Sequence, residues 1–155
     1  MEFWELVVRE SVRDTIARYN HAGDQDRVDE LVMQFMPDGV LEVKDSIRLQ
    51  GRSEIFDQLT ANRTRRRQLA AEQGSLAQFA RHHVSSVLIH SITPERAEAT
   101  SYYAVHTQRG LDHWGRYLDV LVPHEGRWLF ASRLSWTDAT MSGSWAPGPR
   151  AVLVP

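Results

Sequence analysis

The second half of the chain constrains the fold most. From about Phe79 onward, four segments (79–92, 96–109, 115–123 and 127–137) are rich in β-branched and aromatic residues. Short turns separate them at Thr93-Pro94-Glu95, Arg109-Gly110-Leu111-Asp112 and His124-Glu125-Gly126. Strands joined this tightly read as an antiparallel meander, because a parallel crossover needs a far longer connection. The first half reads as helix. Phe3, Leu6, Val7, Val12, Ile16 and Tyr19 recur near a 3.6-residue period, with Glu10, Arg13, Asp14 and Arg18 between them, and Gly23 supplies a stop. Helices first and strands later predict an α+β fold rather than an alternating one.

The connecting region carries more local signals. Asp24 or Asp26 can cap a second helix whose apolar positions are Val28, Leu31, Val32 and Phe35. Pro37-Asp38-Gly39 predicts a turn, followed by a short strand pair, Val40 to Val43 and Ile47 to Leu49. Ser53 can open a third helix that turns Ile55, Phe56 and Leu59 inward. Arg63, Arg65, Arg66 and Arg67 form a basic run, read as a solvated face or the lip of a pocket. The expected shape is a cone, in which a strongly curved antiparallel sheet wraps the helices and leaves a pocket at its open end. Residues 1–140 form the domain. Residues 141–155, with three prolines and two glycines, are expected to be an irregular tail serving as a lid or a subunit contact.

Composition narrows the chemistry. The chain has no cysteine, which excludes disulfides, thiolate metal sites and cysteine nucleophiles. Lys44 is the only lysine, so Schiff-base chemistry is confined to one position. A net charge of −2 leaves no nucleic-acid footprint. No apolar run reaches the roughly 20 residues of a membrane span, and the acidic N-terminus lacks a signal pattern. A soluble, cytoplasmic protein with no membrane partner is expected. Gly-x-Gly-x-x-Gly, a lysine-bearing phosphate loop, Gly-x-Ser-x-Gly and His-Glu-x-x-His are all missing, which removes support for nucleotide cofactors and serine-hydrolase chemistry.

Alternation along strands assigns faces. Tyr117, Asp119 and Leu121 share one side of the third long strand. On the fourth, Leu129, Ala131, Arg133 and Ser135 share one side, and Trp128, Phe130 and Leu134 the other. Small residues beside Arg133 read as a cavity wall. The large apolar face, with Trp128 and Phe130, reads as packed against helices or a subunit partner. Tyr19 and Asp24 flank the end of the first helix, where a phenol and a carboxylate can bind or move a substrate proton. His82 and His83 point to opposite faces, so at most one enters the pocket, where an imidazole can exchange protons near neutral pH. His106, preceded by Tyr102 and Tyr103, can face either of them. Asp119 and Arg133 can pair across neighbouring strands, as structure or as function. The spacing of His82, His106 and His113 fits no compact metal-ligand motif.

One resemblance ties these positions together. It comprises Tyr19…Asp24, Asp29-Glu30-Leu31, Phe35-x-x-Asp38, Gly51-Arg52-x-x-Ile55, Arg81-His82-His83-Val84-Ser85, Gly115-Arg116-Tyr117-x-Asp119, Gly126-Arg127-Trp128 and Arg133. The pattern, from about residue 9 to 138, resembles the SnoaL-like branch of the NTF2-like superfamily, which includes scytalone dehydratase, bile-acid 7α-dehydratase and polyketide cyclases. The resemblance implies a cone with a deep apolar pocket, no cofactor, no metal, and a homodimer or homotrimer. It implies Asp24, His82, Tyr19 and His106 as catalytic residues. His83, Tyr103, Tyr117, Asp119 and Arg133 would contact a small apolar cyclic molecule such as a polyketide, steroid or terpenoid. Tyr117 and Ser85-Ser86 stand where relatives carry asparagine, so substrate contacts differ. The implied activity is a cofactor-independent lyase or isomerase working by general acid–base catalysis. The alternatives are a non-catalytic binding or partner subunit resembling a ring-hydroxylating dioxygenase β subunit, and a cyclase or epoxide hydrolase.

Overall fold

The computed structural model describes residues 1–72 and 79–146. Helices α1 (Phe3–Asp24) and α2 (Val28–Val32) lead into strands β1 (Phe35–Val43) and β2 (Ile47–Gln50). Helix α3 (Arg52–Glu72) follows, then β3 (Arg81–Ile92), β4 (Ala97–Thr107), β5 (Gly110–His124) and β6 (Arg127–Thr140). The fold class is α+β, with the helices against one six-stranded sheet of order β2-β1-β6-β5-β4-β3. The meander runs β3 to β6 as expected. The sheet is not antiparallel throughout, however: β1 joins the free edge of β6 in parallel. No helix among the described residues is long and apolar enough to cross a membrane.

Several local expectations change. Pro37-Asp38-Gly39 lies inside β1, where the pairing with β6 shifts register between Phe35 and Val40. A Cβ on Gly39 would stand 2.7 Å from the Phe130 carbonyl oxygen, so only glycine lets the backbones approach this closely. In α1 the buried stripe is Val8, Val12, Thr15 and Ile16, while Phe3, Leu6 and Val7 are exposed. The helix runs through Gly23, and Asp24 closes it instead of capping the next one. Arg27 holds the N-cap position of α2, with no side-chain cap. Asp26 adopts a positive φ of 58° at this corner. The arginine run grips it: Arg67 reaches its carboxylate at 2.9 Å, Arg66 at 3.8 Å, and Arg63 donates to its carbonyl at 2.9 Å. Phe56, expected inward, is partly exposed, whereas Ile55 is fully buried.

Trp128 and Phe130 do not form an interface. Both are buried inside the chain, and the Thr15 hydroxyl of α1 donates to the Trp128 carbonyl at 2.6 Å. The reason is a second register shift. Val120 pairs with Ser132 but Leu121 pairs with Phe130, which leaves Ala131 as an extra residue on β6. Alternation is reset at that point, so Phe130 and Arg133 share the inner face.

Read across the strands, the registers build that inner face in rows. Ala97, Leu121, Phe130 and Phe35 make an apolar floor. Ala99, Asp119, Arg133 and Leu41 form the next row, then Ser101, Tyr117 and Ser135, then Val84, Tyr103, Gly115 and Thr137. His82, Val105, His113 and Thr140 form the outermost row. The charged pair thus lies next to the apolar floor, and the imidazoles lie at the mouth.

The Asp119–Arg133 pair is wholly buried and bidentate, at 2.8 and 2.7 Å. Removing one partner of such a pair strands a charge and costs about 3–5 kcal/mol. Asp119→Ala should lower unfolding stability by that amount in urea at pH 7. An unchanged midpoint would contradict the burial of this pair.

Candidate functional site

Two elements from opposite ends of the sequence meet at the mouth. Asp24 is the last residue of α1, and His82 is the second residue of β3. The Asp24 Oδ1 lies 2.6 Å from the His82 Nδ1, and the His82 backbone N–H donates to Oδ2 at 3.0 Å. One residue thus engages both carboxylate oxygens, and Arg81 secures the helix end by donating to the Asp24 carbonyl at 3.2 Å. With Nδ1–H directed at the carboxylate, Nε2 carries the free lone pair. The imidazole is 21% exposed, so it remains reachable.

Val105 pairs with His82 on one side and with His113 on the other. The ladder then shifts, because His106 pairs with Leu111 and leaves Asp112 as an inserted residue. Asp112 and His113, although consecutive, are both buried. Asp112 Oδ2 accepts from the His113 Nδ1 at 2.8 Å and from the Ser144 hydroxyl at 2.5 Å. Burial holds the His113 imidazole below its ordinary pKa. Asp112 works against that shift, and the charge of His82 adds to it. Trp145 meets the His113 ring edge-on at 5.2 Å, and the Arg66 guanidinium lies 5.0 Å from the Trp145 ring.

Beneath the mouth, aromatic rings fill the interior. Tyr103 stacks on Tyr117 with centroids 4.5 Å apart, and its hydroxyl lies 3.1 Å from that of Thr137. Tyr19 meets Tyr117, Phe35 and Phe130 edge-on. The Arg133 guanidinium sits 4.1 to 4.4 Å from the rings of Tyr117, Phe130 and Tyr19. Burial raises the pKa of Tyr19, Tyr103 and, most strongly, Tyr117. Burial also pushes Asp119 up, with Arg133 opposing. Burial works against the Arg133 charge too, but Asp119 outweighs it and raises the guanidinium.

The inner face therefore gathers Tyr19, Asp24, His82, Tyr103, Tyr117, Asp119 and Arg133. It does not gather His83 or His106. Strand alternation places both on the outer face, with ring centroids 4.9 Å apart. The expectation that His106 joins Asp24 and His82 is corrected on that geometry: its neighbour Val105 takes the inward position. The expected deep apolar pocket is also corrected, since Tyr103, Tyr117 and Arg133 occupy the interior and are almost wholly buried. Two concavities border these residues. A groove of about 280 Å³ between α1 and β3 is lined by His82 together with Arg13, Ile16, Asn20, His21 and Val84. A broader hollow of about 590 Å³ on the outer face involves His83, Ser85, Tyr102, Leu111, Trp114 and Asp138. Sequence reasoning missed Asp112, Ser144 and Trp145, and weighed His113 only as a metal ligand. Leu111-Asp112 was assigned to a turn, and the only available signal was the adjacency of a carboxylate and an imidazole.

The SnoaL-like domain family matches residues 4–134. The chain belongs to the SnoaL-like family. No curated protein matches it. Solved structures supply the fold comparison for this SnoaL-like domain. A candidate scytalone dehydratase from Novosphingobium aromaticivorans is 20% identical, with a TM-score of 0.70 over 86% of this chain and 85% of that one. A candidate aromatic-ring-hydroxylating dioxygenase β subunit from the same organism is 18% identical, with a TM-score of 0.67 over 88% and 92%. ActVI-ORFA from Streptomyces coelicolor is 19% identical, with a TM-score of 0.67 over 84% and 97%. At these identities the likeness is one of fold, and the NTF2-like, cystatin-like architecture is shared.

The perturbed groups set the pH limits of the SnoaL-like domain. A phenol raised by burial contributes stability that is present below its ordinary value near 10 and lost as pH rises past it. Tyr19, Tyr103 and Tyr117 should resist ionisation in a titration followed at 295 nm until the chain unfolds. His113 behaves oppositely: its contribution is present above about pH 6.5 and lost as pH falls. Urea midpoints measured between pH 7.5 and 5.5 should fall less steeply in His113→Gln than in the native chain.

Proposed function

We propose that this SnoaL-like domain is a cofactor-independent lyase or isomerase acting on a small apolar cyclic compound that carries a carbonyl or hydroxyl. The observation that carries the reading is the Asp24–His82 pair, 2.6 Å apart, whose imidazole lines a groove that also offers Ile16, Val84 and Val87 as apolar wall. In the cycle, Nε2 removes a proton from the carbon beside a carbonyl. The bond electrons move onto the carbonyl oxygen, and Asp24 stabilises the imidazolium. The enolate then collapses and expels a β-hydroxyl, to which His82 returns the proton, releasing water. An isomerase would return the proton to carbon instead. Such acid–base help is worth about 10²–10⁴-fold.

The filled interior favours one rival, a non-catalytic partner subunit in which Asp24–His82 merely ties α1 to β3. An exchange assay separates the two. The α-protons of 2-tetralone should wash out into D2O faster with the protein than without it, as followed by NMR. His82→Gln should lower that rate about 10²–10⁴-fold while the amide spectrum stays folded. No acceleration by the native chain would overturn the acid–base reading and leave the partner subunit.

A further inference from the structure

The groove between α1 and β3 is bounded at both ends by bonds that bridge the two elements. At one end Asp24 holds the His82 imidazole and backbone. At the other, the Arg9 guanidinium donates to the Ile89 carbonyl at 3.3 Å. Between these bridges the helix spans about 22 Å and the strand about 23 Å, so the two run side by side, pinned at each end and open between. The strand is shaped to the opening. Ser86 takes a positive φ of 51°, uncommon for a residue other than glycine, where the ladder with β4 slips between Ser85 and Leu88. The inserted residue puts Val84 and Val87 on one face, and both line the groove.

Helical spacing orders the opposite wall. Arg13, Ile16, Asn20 and Asp24 recur at three- and four-residue steps and form one stripe along α1. A cation comes first, then an aliphatic side chain, an amide, and the carboxylate that holds His82. Two members of the stripe have polar groups left unpaired. Asn20 is only 7% exposed. Its amide nitrogen donates to the Ile16 carbonyl at 2.8 Å, which fixes the orientation of the amide, and its Oδ1 has no donor. Among the described residues it is the one groove side chain with a buried polar atom left unpaired, a costly state that a donor relieves. Arg13, among the described residues, has no ion-pair partner. The adjacent Asp14 turns to Arg18 at 2.6 Å, and the Arg13 guanidinium reaches the Arg9 carbonyl only at 3.4 Å.

From these observations we propose that the groove selects a hydroxylated carboxylic acid of one or two rings. Its carboxylate pairs with Arg13, its ring lies on Ile16, Val84 and Val87, and its hydroxyl donates to the Asn20 Oδ1 at the His82 end. The proposal deepens the acid–base reading and rests on it for the chemistry at His82. The volume of about 280 Å³ sits at the small end of ligand sites, roughly 300–1,000 Å³, which suits so compact a guest. The two ends also impose one orientation. A reversed guest would set its carboxylate against the Asn20 Oδ1 and Asp24, acceptor against acceptor. Arg13 and Asn20 are therefore specificity residues, and they bring the oxygenated end of the ring to the imidazole.

Binding of three probes to the full chain at pH 7.5 tests this: 6-hydroxy-2-naphthoate, 2-naphthoate and 2-naphthol, measured by calorimetry and located by amide shifts in NMR. The first should bind about tenfold more tightly than 2-naphthol, with shifts centred on Ile16, Val84 and Val87. Arg13 is exposed, so its variants read the groove without disturbing the core. Arg13→Gln should remove the tenfold margin, Arg13→Lys should keep most of it, and added salt should narrow it. Asn20→Leu should weaken 6-hydroxy-2-naphthoate about fivefold and spare 2-naphthoate, which has no hydroxyl to donate. Equal affinities for 6-hydroxy-2-naphthoate and 2-naphthol, or a margin that survives Arg13→Gln, would overturn the proposal. So would shifts confined to Tyr102, Leu111 and Trp114 of the outer hollow. The acid–base reading fails separately. A native chain that shows the margin but does not accelerate 2-tetralone exchange keeps the selectivity and loses the chemistry. One that accelerates exchange without the margin keeps the chemistry and loses the selectivity.

Discussion

The buried pair of Asp119 and Arg133 is the constraint on which the interior depends. A guanidinium with no exposure must be answered by a carboxylate at close range, and the two bonds at 2.8 and 2.7 Å do so across β5 and β6. That pairing locks the register of the central strands. Three rings, Tyr19, Tyr117 and Phe130, pack on the guanidinium and give α1 its seat on the sheet. Because α1 is held there, its last residue, Asp24, arrives at β3 and meets His82. An ion pair deep in the floor thus positions a carboxylate five residues, about 7.5 Å of helix, beyond Tyr19.

Much of this was legible in the sequence. Helical periodicity followed by strands joined through short turns gave the α+β class and the meander, because both signals are local. Tyr19, Asp24, His82, Asp119 and Arg133 could be singled out as chemically unusual for their positions. The rest was hidden by departures from strict alternation. One inserted residue near Ala131 brings Phe130 and Arg133 to the same side, and another turns Asp112 and His113 inward together. A bulge depends on the partner strand, so no count along a single strand reveals it. The parallel pairing of β1 with β6 is likewise a property of edges, and Pro37-Asp38-Gly39 reads as a turn because its bulge uses turn residues. His106 failed as an inward residue for the simplest reason, since Val105 beside it already held that side.

The inner face is layered. An apolar floor, a satisfied ion pair, two layers of tyrosine and a row of imidazoles follow one another toward the mouth. Such layering suits a guest with a greasy ring and one or two oxygens, with the chemistry confined to the outer rows. The interior as folded is closed by its own side chains. A guest reaches His82 along the groove between α1 and β3. The expected tail from residue 141 onward is described only to Ala146, and the remainder of the lid-or-subunit-contact expectation lies outside the described residues.

The most direct test of the account is a crystal structure of the chain soaked with 2-naphthol, a flat ring bearing one ionisable oxygen. The account places the ring in the groove between α1 and β3, against Ile16, Val84 and Val87, with its oxygen within about 3 Å of a His82 ring nitrogen. A naphthol seated only in the outer hollow against Tyr102, Leu111 and Trp114, with His82 untouched, would contradict it.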